Sequence, residues 1–579
     1  MHINYITNHT CLKKVCERRS IMEIIIIGGV IAGIEAAIQA RKNSEDVKIT
    51  IYDRDYDIAH TGFATHYVAG GVVDNVDQLV LKTPEWFKDR YNIDIHTGHE
   101  ITKIDYENKK VIGVELTSNE EFEDTFDALV FANGSVVTVP PVFRDKEFSN
   151  VFTIKSVQNA RKLLTFVEEK QPKNAIVIGT GYIGLGVSEQ LTNAGINVKT
   201  VDFLEYPMAQ LDHDTSVHIA DILEDNGVSF HGNEGVVELA SHNGELDSVV
   251  TSQGNKYEAD MFIVATGVRP NTELAESIGV KTGSTRAIKV NDKLQTNLSD
   301  VYAVGDVAEA YHAVTKAPIY LPLATTAVKM GRIAGDVITG GDMRFEGVLG
   351  TSAVRLFGQT IASTGMTEDA ARKAGIEPEV LVITKPSVLK IMGGKDILIK
   401  AIAEPKTERL LGVQIIGPEG VERRIDVFAT AMQLGAKVSD LANIDLAFTP
   451  PISTPTDPVM YTGLLLSEAI KKCPLMTPEQ LNEMLEDDQE LTILDVRNKE
   501  SYEKAHIQGA INLPVDSIRD SIDSLDKNNK IVVYCGIGES SLVAQEILVN
   551  NGFEKVYNLT GGLTNYRTLN EEKLSKVNK

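Results

Sequence analysis

Apolar and polar positions along the chain fall into two copies of one unit, then two further segments of different character. From Glu23, Ile24-Ile25-Ile26-Ile27 runs into Gly28-Gly29-Val30-Ile31-Ala32-Gly33, and a helical pattern follows with Ile34, Ala37 and Ile38. From Asn174, Ala175-Ile176-Val177-Ile178 runs into Gly179-Thr180-Gly181-Tyr182-Ile183-Gly184, again followed by a helical pattern. An unbroken apolar run this short predicts a strand covered on both faces, as in a parallel sheet.

A glycine turn between such a strand and a helix lets the backbone close on a pyrophosphate at the helix N-terminus. Each copy also has an acid at the end of its next strand. Asp53 closes Val47-Lys48-Ile49-Thr50-Ile51-Tyr52, and Asp202 closes Val198-Lys199-Thr200-Val201. An acid there accepts hydrogen bonds from an adenosine ribose diol. Two complete fingerprints predict an α/β protein with two Rossmann-like dinucleotide-binding domains. Asp202 would repel a 2′-phosphate, and Phe203-Leu204-Glu205 offers no arginine to hold one, so NADH is expected over NADPH.

Residues 345–470 alternate as strands at Ile397–Ile402 and Leu411–Gly417, which suggests a separate mixed α/β segment. Near Lys471-Lys472-Cys473-Pro474 the character changes, and 471–478 reads as a linker with Cys473 incidental. In the last hundred residues Ile531-Val532-Val533-Tyr534 delivers Cys535 into Gly536-Ile537-Gly538-Glu539-Ser540-Ser541, where a helix begins. A thiol at a strand-to-helix turn faces backbone N–H groups and a positive helix end, which favours thiolate and persulfide anions.

Composition narrows the picture. The chain has 579 residues, 57 Lys+Arg against 81 Asp+Glu, and a net charge of −24. That balance argues against a nucleic-acid partner, because phosphate neutralisation needs concentrated cations. No stretch reaches the ~18 apolar residues of a membrane span. The four cysteines, Cys11, Cys16, Cys473 and Cys535, are too few for a disulfide scaffold or a thiolate zinc site, so no metal and a cytoplasmic location are expected. Residues 1–21 carry four basic residues without an apolar core. They read as a tail, or as a start-site artefact preceding Met22.

The order of these motifs, with Phe262–Asn271 and Val301–Asp306, resembles the two-dinucleotide-domain flavoproteins, the pyridine nucleotide–disulfide oxidoreductases. Asp495-Val496-Arg497, His506-Ile507-Gln508-Gly509-Ala510 and the Tyr534-Cys535 loop resemble a rhodanese domain. Together they resemble coenzyme A disulfide reductase–rhodanese fusions. That resemblance implies FAD on Gly28, Gly29, Gly33, Asp53, Arg54, Ala132, Gly134, Gly305 and Asp306. It implies NADH on Gly179, Gly181, Tyr182, Gly184, Asp202 and Gly267, with Tyr182 gating the nicotinamide, and Cys535 as the catalytic sulfur. The implied domains are FAD-binding (22–140 and 272–340), NAD-binding (141–271), an α+β dimerisation domain (341–470) that makes a homodimer, and an α/β rhodanese domain (479–579).

The chain departs from that family at four positions. The redox cysteine of the flavin domain falls on Phe63, and no cysteine lies between residues 17 and 472. The glutamate that helps to orient the nicotinamide is Gly186, the acid-donor tyrosine is Phe448, and the rhodanese-loop arginine is Ser540 beside Glu539. Phenylalanine cannot attack a disulfide, and Glu539 should oppose a bound sulfur anion. His60 and His66 flank the cysteine position, as an acid or base or as plain cleft lining. Arg41 and Arg423-Arg424 are candidates for coenzyme A phosphates, although arginines on helices are more often solvated.

Three readings follow. In the first, an FAD-dependent NAD(P)H oxidoreductase passes electrons from reduced flavin to a small acceptor without a redox cysteine, while Cys535 carries persulfide. The resemblance implies coenzyme A or low-molecular-weight persulfides as partners. The others are a non-catalytic flavoprotein scaffold or sensor, and a disulfide or persulfide reductase that uses Cys535 as substitute thiol.

Overall fold

A computed structural model describes residues 21–73, 75–486, 491–570 and 574–576. The expectations for residues 1–20, including Cys11 and Cys16, lie outside the described residues.

The first apolar unit forms the centre of a five-stranded parallel sheet. Its order is Val301–Ala303, Ala128–Phe131, Glu23–Ile27, Lys48–Asp53, Asp94–Thr97. Ile24, Ile25 and Ile26 are fully buried, as a strand sandwiched by helices requires. Helix Ile31–Asn43 lies on this sheet and meets helix Ala324–Ile338 at near backbone contact. A Cβ on Gly331 would sit 2.3 Å from the Ala32 carbonyl, and one on Gly335 2.2 Å from that of Ala36. The chain therefore leaves this unit and returns to it.

The second unit builds another all-parallel sheet: Ser229–His231, Asn197–Val201, Asn174–Ile178, Met261–Val264, Val151–Thr153. The two connections between the units pair with each other as an antiparallel ribbon, Ser135–Val137 with Val268–Pro270.

Beyond residue 350 an antiparallel sheet runs Ser352–Leu356, Gln359–Gly365, Arg409–Gly417, Asp396–Glu404, Glu379–Pro386. The fourth sheet is parallel: Leu475–Met476, Val556–Leu559, Lys530–Tyr534, Leu491–Asp495, Ile511–Asn512. Here the linker expectation for 471–478 is corrected, because Leu475–Met476 is the outer strand of that sheet. Two residues are too short a strand to leave an alternation in the sequence.

The units are joined by buried charge. Lys400 of the third sheet places Nζ 2.8 Å from Asp214, 2.9 Å from Glu368 and 3.4 Å from Asp212. Asp214 sits in helix His213–Asp225 of the second unit, with Asp212 at its N-cap.

Of the arginines proposed for coenzyme A phosphates, Arg41 and Arg424 are buried and Arg423 is partly exposed. Arg41 is buried and donates to the carbonyls of Ser44, Glu45, Val47, Tyr91 and Asn92. Arg424 is buried against Asp457 and the carbonyls of Gly420 and Ser387, and Arg423 shares Asp457 at 2.8 Å. Arg41 and Arg424 are thus committed to the fold, and Arg423 is tied to Asp457.

Candidate functional site

The first glycine turn is a cradle that side chains would fill. A Cβ on Gly28 (φ +112°) would lie 2.3 Å from the Ala132 carbonyl, and one on Gly33 1.9 Å from that of Gly28. The Gly29 N–H donates to Asp53 Oδ2 at 2.6 Å, and the Asp55 N–H to Oδ1 at 2.8 Å. Burial pushes the Asp53 carboxyl up to about 6, against those two hydrogen bonds. Arg54 is exposed, 3.9 Å from Glu100. The cradle of small residues with an acid behind it fits the dinucleotide FAD.

Gly305 and Asp306 approach the same cradle from the returning chain, where a Cβ on Gly305 would meet Ala32 Cβ at 2.9 Å. Ser135 Oγ donates to Asp306 Oδ2 at 3.0 Å and accepts from Lys155 Nζ at 2.8 Å. Burial pulls the Lys155 ammonium down, while Asp306 opposes the shift. Gly134 is left-handed (φ +64°) beside Ser135, with open space where its Cβ would stand. The Lys155–Ser135–Asp306 chain had no sequence signal, because its members belong to three separate segments.

The second turn repeats the geometry. A Cβ on Gly179 would lie 2.5 Å from the Ala265 carbonyl, and one on Gly184 1.9 Å from that of Gly179, whereas Gly181 faces open space. Gly267, at φ +93°, also faces open space. Asp202 Oδ2 accepts from the Thr180 N–H and hydroxyl at 2.7 and 2.6 Å, and Oδ1 from the Leu204 N–H at 3.0 Å. These residues fit a second dinucleotide, NADH. The Tyr182 hydroxyl hydrogen-bonds to Ser352 of the third sheet, so the expected gate is tethered across a domain boundary.

Phe63 lies in the turn Gly62–Val68, with His60 just before it and His66 within it. Both histidines are buried, and neither Nδ1 has a partner among the described residues. Burial lowers both, His66 to about 4, so both rings are neutral at pH 7. A Cβ on Gly186 would stand 2.6 Å from His66 Cδ2 and Nε2. The gap at Gly186 is thus filled by His66, which sequence reasoning missed. Phe448 is exposed.

Cys535 is buried at the end of strand Lys530–Tyr534. Its Sγ accepts from the Gly538 N–H at 3.2 Å and the Ser541 hydroxyl at 3.4 Å. Burial alone would raise the thiol. The Ser541 and Ser540 hydroxyls and the loop N–H groups outweigh it and hold the thiol below its ordinary value. Arg497 and Tyr534 brace the neighbouring strand ends: Arg497 pairs with Asp495 at 2.5 Å, and the Tyr534 hydroxyl accepts from the Ile507 N–H at 3.1 Å.

Among the described residues no cluster of metal-ligating side chains occurs, and no helix is long and apolar enough to cross a membrane.

Three family models match in sequence: pyridine nucleotide-disulphide oxidoreductase at residues 22–331, its dimerisation domain at 351–457 and a rhodanese-like domain at 477–569. Among solved structures, reduced CoADR-RHD of Bacillus anthracis superposes with a TM-score of 0.91 at 30% identity, covering 96% of this chain and 100% of that one. An NAD-dependent persulfide reductase from A. fulgidus gives 0.84 at 33%, covering 94% and 100%. An NADH oxidase of Methanocaldococcus jannaschii is 33% identical over 456 residues, 78% of this chain and 99% of that protein. With its paired nucleotide cradles, third antiparallel sheet and cysteine loop, the chain belongs to the pyridine nucleotide–disulphide oxidoreductase family, in the form that carries a C-terminal rhodanese-like domain.

Proposed function

We propose that this protein is an FAD-dependent NADH oxidoreductase that delivers electrons to a small acceptor without a redox cysteine beside the flavin, and that Cys535 carries sulfane sulfur. One observation carries the first part. Both nucleotide cradles are intact, while the two cysteines among the described residues, Cys473 and Cys535, both lie beyond the nucleotide-binding units.

When bound, FAD supplies hydride acceptance and onward electron transfer. The chain's own residues bind and orient. Asp53 and Asp202 stand at the strand ends where ribose hydroxyls are recognised, and Gly28 and Gly179 let the backbone approach the diphosphates. The Lys155–Ser135 pair holds Asp306 in place. The imidazoles of His60 and His66 are buried and neutral at pH 7, with one unpartnered ring nitrogen each. In the C-terminal unit, the Gly538 N–H and the Ser541 hydroxyl aim at the sulfur and stabilise its anion.

Persulfides, coenzyme A-linked or free, are the acceptor class favoured here. A rhodanese-like domain lies in the same chain, and a relative with this domain order is a persulfide reductase. The dimerisation domain supports a homodimer.

The test is an anaerobic titration of the purified protein with NADH, followed by visible absorbance. A flavin band that bleaches with about one equivalent of NADH supports the proposal. A bound flavin that stays oxidised refutes it and leaves Cys535 as the sole chemical centre.

A further inference from the structure

The Cys535 loop carries a carboxylate where a sulfur anion has to be stabilised, and another domain answers it. Glu539 is the first residue of helix Glu539–Asn550, directly behind the loop. Lys385 reaches it from strand Glu379–Pro386, the outer strand of the third sheet, with Nζ 2.5 Å from Glu539 Oε1. The ammonium also lies 3.4 Å from the ring centroid of Tyr461 on helix Pro458–Lys471. Lys385 is largely buried, its side chain 17% exposed. The contact is continuous with a docked surface. The Val382 N–H donates to Thr560 Oγ1 at 2.6 Å, Leu542 packs into the core of the third domain, and Gly561 stands against both Val382 and the Gly538 turn.

We infer that Lys385 is a positioning residue for sulfur transfer at Cys535: by neutralising Glu539 from another domain, it allows the loop to hold a thiolate and then a terminal persulfide. This rests on the reading of Cys535 as a sulfur carrier. An unpaired carboxylate beside the loop disfavours both anions. A cation held on an aromatic face and paired with that carboxylate offsets its charge, and it is not among the groups that hydrogen-bond to the sulfur. The pairing also replaces in part the loop arginine that stands as Ser540 here, with charge supplied through space. It follows that the C-terminal unit transfers sulfur at full rate only in the intact chain.

With thiosulfate as donor, the Cys535 thiolate attacks the outer sulfur. A Cys–S–S bond forms, the S–S bond of thiosulfate breaks, and sulfite leaves with the electron pair. Cyanide then takes the terminal sulfur as thiocyanate, and the cysteine thiolate is regenerated.

The experiment compares the full chain with Lys385→Gln, Glu539→Gln and the double variant. It reads thiocyanate formation and the pH dependence of iodoacetamide alkylation at Cys535, followed by peptide mass spectrometry so that the other cysteines do not contribute. Lys385→Gln is expected to slow turnover about five- to tenfold and to raise the alkylation midpoint by about half to one pH unit, with the double variant restored to within about twofold. Unchanged turnover and midpoint in Lys385→Gln overturn the inference. So does a double variant as impaired as the single one, since the loss would then come from undocking and not from charge. If the unmodified protein forms no thiocyanate, the sulfur-carrier reading fails, and the alkylation midpoint still decides the role of Lys385.

Discussion

The imidazole of His66 occupies the space that a side chain at position 186 would need, 2.6 Å from where its first carbon would stand. A residue of the flavin-side turn is thereby seated on the helix Tyr182–Asn193 that opens the second nucleotide site. Gly186→Ala should expel the ring or shift the helix, costing about 1–3 kcal/mol. Gly186→Glu should cost more, because the larger side chain cannot share the site. Thermal unfolding followed by circular dichroism checks both. Equal melting temperatures for all three proteins would show that His66 does not depend on the glycine.

The same ring gives a pH dependence with a definite sign. Its folded-state pKa, about 4, lies below the ordinary value of 6.5, so the unfolded chain binds the extra proton. Its contribution is fully present above pH 6.5 and is lost as pH falls toward 4. His66→Gln should flatten that acid limb, removing on the order of 2–3 kcal/mol of pH-dependent stability between those limits. Urea unfolding at pH 7.5 and pH 4.5, with and without the substitution, measures the difference.

Lys400 is surrounded by Asp212, Asp214 and Glu368 and is itself buried. Lys400→Met would leave three carboxylates without their common cation, and a loss of about 3–5 kcal/mol is expected. Differential scanning calorimetry should show the second and third units melting at lower temperature. An unchanged thermogram would mean that the carboxylates find other partners.

Coenzyme preference should turn on Asp202 and its exposed neighbour Phe203. The double change Asp202→Ala with Phe203→Arg removes the carboxylate that repels a 2′-phosphate and adds a cation that attracts one. The NADPH to NADH ratio of kcat/KM should rise by at least about tenfold. Steady-state kinetics with both coenzymes decides it, and an unchanged ratio would place the discrimination elsewhere.

How far the sequence could be read depended on how local each cause was. Gly28, Gly33 and Asp53 lie within one strand–turn–helix–strand unit, so spacing alone revealed their cooperation, and the same holds for Gly179, Gly184 and Asp202. The cysteine loop was legible for the same reason. The partner of Glu539 was not: Lys385 lies in another sheet, and nothing in its flanking residues marks it as half of a pair. Glu539 therefore read as an opposing charge when it is a compensated one. Gly186 read as a lost glutamate because the ring that fills its place sits in a distant turn. Arg41 and Arg424 read as solvated because helix position alone does not reveal five carbonyls or a buried carboxylate waiting for them.

The outer strand Glu379–Pro386 leaves the third sheet with an open side, and an open side is an invitation to pair with any other extended chain. Here the backbone N–H of Val382 is taken by Thr560, and Gly561 lies against its side chain. The C-terminal unit thus serves as a cover as well as a reagent. A chain cut after residue 470 would lose its sulfur chemistry and also bare a Val- and Ile-rich border, and should form assemblies larger than the homodimer where the full chain does not.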